Sequence, residues 1–454
     1  MSSKIPVVMI FDVGKTNKKL LLFDEQYKVV YEESTQLKET ADEDGFPCED
    51  VFALTDWVKN SFSRVQSDER FEIKAVNFSA YGASFVYLDE ELNVIPPLYN
   101  YLKPYPPALQ KKFYHDYGGE SYFSKVTASP VLGNLNSGMQ LYRLKFEQPE
   151  KFSRIKYALH LPQYLGFVLT SALHTDITSI GCHTNLWNFQ QNTYHEWVNK
   201  EGVADKLPPL HSGNEIAGYV NESIPAGTGL HDSSAALIPY LITFHEPFVL
   251  ISTGTWCISL NPFNHTLLTD DELHLDCLCY LSYEGKPVKA SRIFAGHEHE
   301  RQVKRLAEHF KRPVDYYTSV ALDTALLKKQ KPAEIPFKNT GDRFSISVFE
   351  ERKLSWFKNY EEAYHQLITD IVSLQQRSTR LVLKDSAVKR IFVDGGFSRN
   401  PIYMHLLALS FPEMDVYAAS VPQASALGAA LVFHQHWNPH PLPKRIVDSR
   451  AVLL

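Results

Sequence analysis

Two stretches of this chain repeat one pattern. Residues 7–23 read V-V-M-I-F-D-V-G-K-T-N-K-K-L-L-L-F, and residues 248–260 read F-V-L-I-S-T-G-T-W-C-I-S-L. In each, an apolar run enters a tight turn of Gly, Thr and small polar residues, and a second largely apolar run leaves it. That pattern predicts a β-hairpin whose tip offers backbone N–H groups and hydroxyls to an anion. Any turn needs glycine, so one copy says little. Two copies, roughly half the chain apart, predict a duplicated domain with a phosphate gripped from both sides.

At 454 residues the chain is too long for one core and suits two domains. We expect them at 1–245 and 246–454, with the polar, Pro-containing stretch His245, Glu246, Pro247 at the boundary. An apolar fraction of 44% and a charged fraction of 22% are those of a globular protein. A net charge of −6, with no long basic run, argues against a nucleic-acid groove. No apolar stretch approaches the roughly 20 residues of a membrane span. The opening M-S-S-K-I-P-V-V-M-I-F-D lacks the apolar length of a secretion signal, so the expected location is cytoplasmic. Cysteines stand at 48, 182, 257, 277 and 279; with no second pair to complete a zinc site around the C-x-C, buried reduced thiols are expected.

Strand signals at 7–11, 18–23 and 28–32 are joined by short turns and should pair antiparallel. A helix is expected over 51–65, then strands over 73–78 and 81–88. Residues 139–170 read as mostly helical, and 225–240 as a Gly-rich turn leading into a helix of small residues. Residues 310–350, rich in Pro and charge, suggest an insertion or a lid. Residues 363–383 form an amphipathic pattern, followed by a strand at 390–393, the turn D-G-G-F-S-R-N and a closely packing helix in S-V-P-Q-A-S-A-L-G-A-A-L-V-F. Alternating strands and helices mark an α/β layer fold.

Asp12 ends the first strand beside the turn residues Gly14, Lys15, Thr16 and Asn17. A carboxylate there can hold Mg²⁺ through water, or merely close the turn. Asp232, in G-T-G-L-H-D-S-S-A-A, is either a helix N-cap or a general base that takes a proton from a hydroxyl. His231 beside it reads more as a structural hydrogen-bond partner than as a base. Gly254 and Thr255 form the second hairpin tip, and Gly395, Gly396, Ser398 and Asn400 a further glycine turn ahead of a helix that can present its N-terminus to a ligand. The string H-E-H-E at 297–300 reads as a solvated helix start, because His297 and His299 do not share a helical face. The Tyr-rich run at 97–106 is either an aromatic wall for a sugar or a packed loop.

Taken in order, D-V-G-K-T-N, G-L-H-D-S-S-A-A, S-T-G-T-W, V-D-G-G-F-S-R-N-P and A-S-A-L-G-A-A-L resemble the FGGY carbohydrate kinases, from about residue 6 to about residue 435. The resemblance implies two actin-like, ribonuclease-H-like domains with ATP and sugar in a cleft between them. Within the family, T-G-T-W at 253–256, T-D-I-T-S-I-G at 175–181 and L-P-Q-Y-L-G-F-V-L-T at 161–170 look most like the L-rhamnulose and L-fuculose kinases. It puts Asp12 on the Mg²⁺-associated aspartate and Asp232 on the catalytic base. Gly14, Thr16, Gly254 and Thr255 fall on phosphate-contacting turns, with Lys15 and Asn17 alongside, and Gly395, Gly396 and Asn400 on the adenosine side. Sugar contacts are implied at Tyr81, Gly82, Ser84, His231 and Asp232.

Two departures stand out: Phe397 replaces the last glycine of a triplet, and Ser84 stands where these subfamilies often carry a sugar-binding Asp. The implied activity is ATP- and Mg²⁺-dependent phosphorylation of a 6-deoxy-ketohexose at its terminal hydroxyl. A pentulose kinase, a catalytically silent ATP/sugar sensor and an actin- or chaperone-like ATPase are the alternatives. The implied partners are the sugar and ATP, with a homodimer as the one macromolecular option.

Overall fold

The computed structural model describes residues 4–330 and 349–454. The middle of the segment expected as an insertion or lid, 331–348, lies outside the described residues. Its flanks carry a short 3-10 turn at Val314–Ser319 and a single helical turn at Thr324–Leu327.

The first compact unit comprises Met1–Thr243, Cys279–Pro287 and Pro422–Ile446; the second comprises Phe244–Leu278, Val288–Val421 and Val447–Leu454. A single cut at 245 therefore leaves two pieces of the C-terminal half packed in the first unit.

In the first unit, the antiparallel strands Ile5–Val13, Lys18–Asp24 and Val29–Thr35 follow one another, as their short turns require. Helix Val51–Gln66 then carries the chain back, so that Phe71–Ala80 pairs parallel to Ile5–Val13. Asp50 starts that helix by accepting from the amides of Phe52 and Ala53, and its apolar stripe (Leu54, Val58, Phe62, Val65) is buried in the core with Val7, Met9 and Phe11. Short strands Ile224–Gly227 and Leu230–His231 pair parallel with the same central strand, and helix Asp232–Thr243 follows directly.

The strand expected over 81–88 begins only at Phe85. Tyr81 still donates its amide to Val13 at 3.1 Å, but the left-handed φ of 63° at Ala83 turns the chain into a separate sheet with Val94–Ile95 and Tyr157–His160. The region 139–170 is likewise broken. Helices Ser137–Glu147, Pro149–Arg154 and Leu161–Thr170 are interrupted by the strand Tyr157–His160, and prolines stand at the starts of the last two helices, where a missing N–H does no harm.

The second unit repeats the device. Phe248–Thr253 and Cys257–Asn261 form a hairpin, helix Tyr360–Leu383 returns the chain, and Arg390–Gly395 pairs parallel to Phe248–Thr253. Asp415–Ser420 extends that sheet. The duplication expected from the two hairpins is thus a duplication of topology.

Among the described residues, no helix is long and apolar enough to cross a membrane. All five cysteines are buried thiols outside any disulfide.

Candidate active site

Three parallel strands of the first unit bring two carboxylates together. Asp12, near the end of its strand, pairs with Ser79; His231, on the other side of the same central strand, pairs with Ala80, and Asp232 follows it. Both acids therefore stand at the carboxyl end of one parallel layer, the usual place for a ligand site in such sheets.

Burial raises the Asp12 pKa to about 6, and the negative charge of Asp232 adds to the rise; the Ser425 hydroxyl, donating at 3.0 Å, opposes it. Desolvation likewise raises Asp232 to about 6, although 36% of its side chain remains accessible. Two acids pushed up in one place repel each other and present a strong demand for a cation or a proton.

Asp232 does not act as an ordinary N-cap. The helix begins on Asp232 itself, and its Oδ1 accepts from the next residue, Ser233, through the amide at 2.6 Å and the hydroxyl at 3.3 Å, rather than from amides two or three residues on. His231 Nε2 lies 3.3 Å from the same oxygen and 3.0 Å from Cys182 Sγ. The imidazole is buried, and desolvation lowers its pKa to about 3, so it is neutral. Its Nδ1 is buried without a hydrogen-bond partner, and a bare lone pair is cheaper to bury than an N–H. That favours the tautomer protonated at Nε2, which donates to Cys182 Sγ. The ordered donors to Asp232, the amide and hydroxyl of Ser233, both fall on Oδ1 and leave Oδ2 for an incoming hydroxyl.

Gly82 makes this possible: a Cβ there would stand 2.8 Å from the His231 ring. Tyr280, from the returning segment Cys279–Pro287, stacks on the imidazole at 5.7 Å. Tyr81 is buried with its hydroxyl donating to Glu49, and Ser84 is buried with its hydroxyl 3.4 Å from the carbonyl of Tyr99.

At the first hairpin tip, Gly14 donates its amide to Asn17 O at 2.9 Å, closing the turn. Thr16 and Asn17 are exposed, while Lys15 is paired with Glu39 at 3.2 Å. Lys19 stands opposite Asp12 across the hairpin and donates to Gln423 at 2.8 Å. Gln423 in turn donates to Glu32, which draws the start of the small-residue helix Ala424–Val432 onto the hairpin. Gly428 of that helix lies so close to helix Asp232–Thr243 that a Cβ would meet Ala235 O at 1.9 Å.

In the second unit, Gly254 and Thr255 are exposed at the hairpin tip, and the start of helix Ala295–Phe310 rests against them: a Cβ on Gly296 would meet Gly254 O at 1.8 Å. Gly395 has a φ of 91°, and its Cβ would meet Thr253 O at 1.9 Å. Its glycine thus serves the packing of one strand end on another. A Cβ on Gly396 meets nothing within 4 Å, so that position is the one open to a ligand.

Asn400 caps helix Pro401–Ser410 through Ile402 and Tyr403, and its amide nitrogen donates to the Tyr364 hydroxyl at 2.8 Å. His299 shares that hydroxyl at 3.0 Å and faces Phe397 at 5.3 Å, so the expected solvated start of its helix turns inward at this residue. We expect Gly395→Ala to destabilise the protein by about 2–5 kcal/mol, the sum of a left-handed backbone penalty and an overpacked contact, measured by chemical denaturation.

Lys18, Glu49, Ser79, Gln423, Ser425, Cys182 and Tyr280 were not visible as site residues in the sequence. Only Lys18 gave a signal, as a lysine in phase with the buried Leu20 and Leu22.

Two family descriptions match this chain. The N-terminal domain of the FGGY family of carbohydrate kinases matches residues 7–237, and the carbohydrate kinase FGGY C-terminal domain matches 245–441. A probable L-xylulose kinase of Pasteurella multocida is 28% identical, over 94% of this chain and 90% of that one. A rhamnulokinase of Mannheimia succiniciproducens is 21% identical, over 92% of this chain and 87% of that one. Among solved structures, a xylulose kinase from Rhodospirillum rubrum has a TM-score of 0.80 at 17% identity, covering 98% of this chain and 94% of that one. A carbohydrate kinase from Novosphingobium aromaticivorans has a TM-score of 0.79 at 21% identity, covering 99% and 94%. These structural likenesses establish the fold, two α/β domains of actin-like type.

Proposed function

The chain belongs to the FGGY family of carbohydrate kinases and is a sugar kinase, and we propose that it transfers the γ-phosphate of ATP to the terminal hydroxyl of a ketose, with Asp232 as the general base. The observation that carries this reading is the pair Asp12 and Asp232, converging at one strand layer with both pKa values near 6. A base with that pKa is ionised at neutral pH yet basic enough to accept a proton from a hydroxyl as its bond to phosphorus forms. Retention of both acids supports an enzyme over a silent sensor, and the G-L-H-D segment supports a sugar acceptor over an actin- or chaperone-like ATPase.

The residues divide by task. Asp232 Oδ2 takes the hydroxyl proton, while Ser233 holds Oδ1 and the neutral His231 ring lies beside it. Tyr81, Gly82 and Ser84 shape the sugar side of the first unit. The tip Gly14, Lys15, Thr16 and Asn17, and in the second unit Gly254 and Thr255, offer donors to the phosphates. Gly396 lies open for the adenosine side, with Gly395 and Asn400 fixing the backbone around it.

Among the described residues, no cluster of three or more His, Cys, Asp or Glu could hold a metal ion by itself. That fits Mg²⁺, which keeps much of its water and shares its ligands with phosphate oxygens. Asp12 would hold it from outside its water shell, and the ion would supply neutralisation of the phosphate charge.

The proposed acceptor is a 6-deoxy-ketohexose, L-rhamnulose or L-fuculose; the 28%-identical relative named a probable L-xylulose kinase favours a pentulose as the second reading. A coupled ADP assay with L-rhamnulose, L-fuculose, L-xylulose, L-ribulose and D-xylulose decides between them. We expect one ketose to raise ATP turnover well above the water background. No stimulation by any of them would overturn the ketose assignment.

A further inference from the structure

Beneath the first hairpin tip lies a buried ion pair that none of the assigned chemistry uses. Lys18 is 2% exposed and Glu49 4% exposed, and the two are in direct contact. Desolvating two charges is expensive, and two well-packed apolar side chains of similar size commonly serve stability as well or better. Something beyond packing therefore has to account for an ammonium in this position.

Its other contacts supply the reason. Lys18 Nζ donates to the carbonyl of Gly14 at 3.2 Å and to the carbonyl of Lys15 at 3.1 Å. In a trans peptide, the N–H points opposite to the C=O. Pulling those two carbonyls down onto the ammonium turns the next two amides, of Lys15 and Thr16, away from the core. Among the described residues neither amide has a backbone or side-chain acceptor, whereas the amide of Gly14, one residue earlier, closes the turn on Asn17. Two successive amides directed outward from one turn form an anion-binding concavity. Glu49 anchors the ammonium from below, and the same carboxylate accepts the hydroxyl of Tyr81.

We propose that Lys18 is a positioning residue: it never touches the ligand, but holds the Gly14 and Lys15 carbonyls inward so that the Lys15 and Thr16 amides face the phosphates of the nucleotide. This rests on the reading of the hairpin tip as a phosphate site given above.

The test compares ATP with adenosine, which shares the base and ribose but has no phosphates. Lys18→Met alone would strand a buried carboxylate and risks misfolding, so the informative variant is Lys18→Met/Glu49→Gln, in which both charges are removed at nearly constant volume. Glu49→Gln alone is the partner variant, because it retains the lysine and its two carbonyl bonds and still offers Tyr81 an acceptor. Calorimetric Kd values are measured for Mg²⁺-ATP and for adenosine on each, with Lys15→Met/Thr16→Ala as a variant of the tip itself. We expect the double variant to bind ATP at least tenfold more weakly than Glu49→Gln does, with adenosine affinity equal in the two.

Equal ATP affinity in the double variant and Glu49→Gln, while the tip variant loses it, would overturn the positioning role and leave the phosphate site standing. A matching loss for adenosine would also overturn it, since that marks general damage. ATP binding that neither the tip variant nor the double variant changes would likewise overturn the positioning role.

Discussion

Asp232→Asn is expected to lower kcat by about 10²–10⁴-fold, the range that general-base catalysis supplies, while sugar and nucleotide affinities move far less. The substitution preserves size and leaves one carbonyl oxygen to accept from Ser233, as Oδ1 does now. What it removes is Oδ2 as a proton acceptor. An asparagine can also cap a helix, so a residue serving only the helix start would give a variant with wild-type melting and near-normal kcat, and that result would overturn the assignment. The pH dependence gives an independent reading. A base with a pKa near 6 works only when deprotonated, so the wild-type rate should climb as pH rises through about 6 and level off above it. The residual rate of the Asn variant should lack that rise.

The fold was legible wherever neighbours in sequence are neighbours in space. The first three strands are joined by turns too short for anything but antiparallel pairing, and helix 51–66 announces itself through its apolar stripe and the capping Asp50. The break in 139–170 was written in Pro149 and Pro162, whose place at a helix start outranks the apolar periodicity around them. Asn400 followed by Pro401 carries the same kind of signal: it is a helix start before it is anything else.

What was not legible depends on partners far away in the chain. Nothing around Pro422–Ile446 marks a return to the first unit, because its helix is as apolar as one packed in the second unit would be. Nothing local says that Lys18 meets Glu49, or that Ser425 meets Asp12; a buried charge is decided by the group that neutralises it, and that group arrives only with the tertiary fold. The converging acids show both sides of this. Their residue types stood out in the sequence, but their convergence required the parallel pairing of two strands on either side of Phe71–Ala80.

Asp12→Asn should produce two effects of opposite sign. On the proposed reading, in which Asp12 would hold Mg²⁺ through its water shell, removing the acid is expected to weaken Mg²⁺ activation by about 10–100-fold, the range typical of outer-shell partners. A titration of rate against free Mg²⁺ at saturating ATP and sugar measures it. Stability should move the other way. The folded-state pKa of Asp12, about 6, lies above the ordinary aspartate value of 3.8, so the folded protein keeps this proton after the unfolded chain has released it. Between those two values the folded state binds more protons than the unfolded one, and stability falls as pH rises. Above about 6 the whole penalty for a buried charge is present. Asparagine carries no charge and still accepts from Ser425, so it escapes that penalty. Near pH 4 the variant and wild type should melt together; through pH 6 the variant should pull ahead, and by pH 8 it should melt about 2–4 °C higher, equivalent to about 1 kcal/mol once the solvent still reaching the carboxylate is allowed for. Melting curves across pH, without nucleotide or metal, test this. A variant that melts below wild type at pH 8 would mean that the Asp12 charge supports the fold, and the raised pKa assigned to it would be wrong.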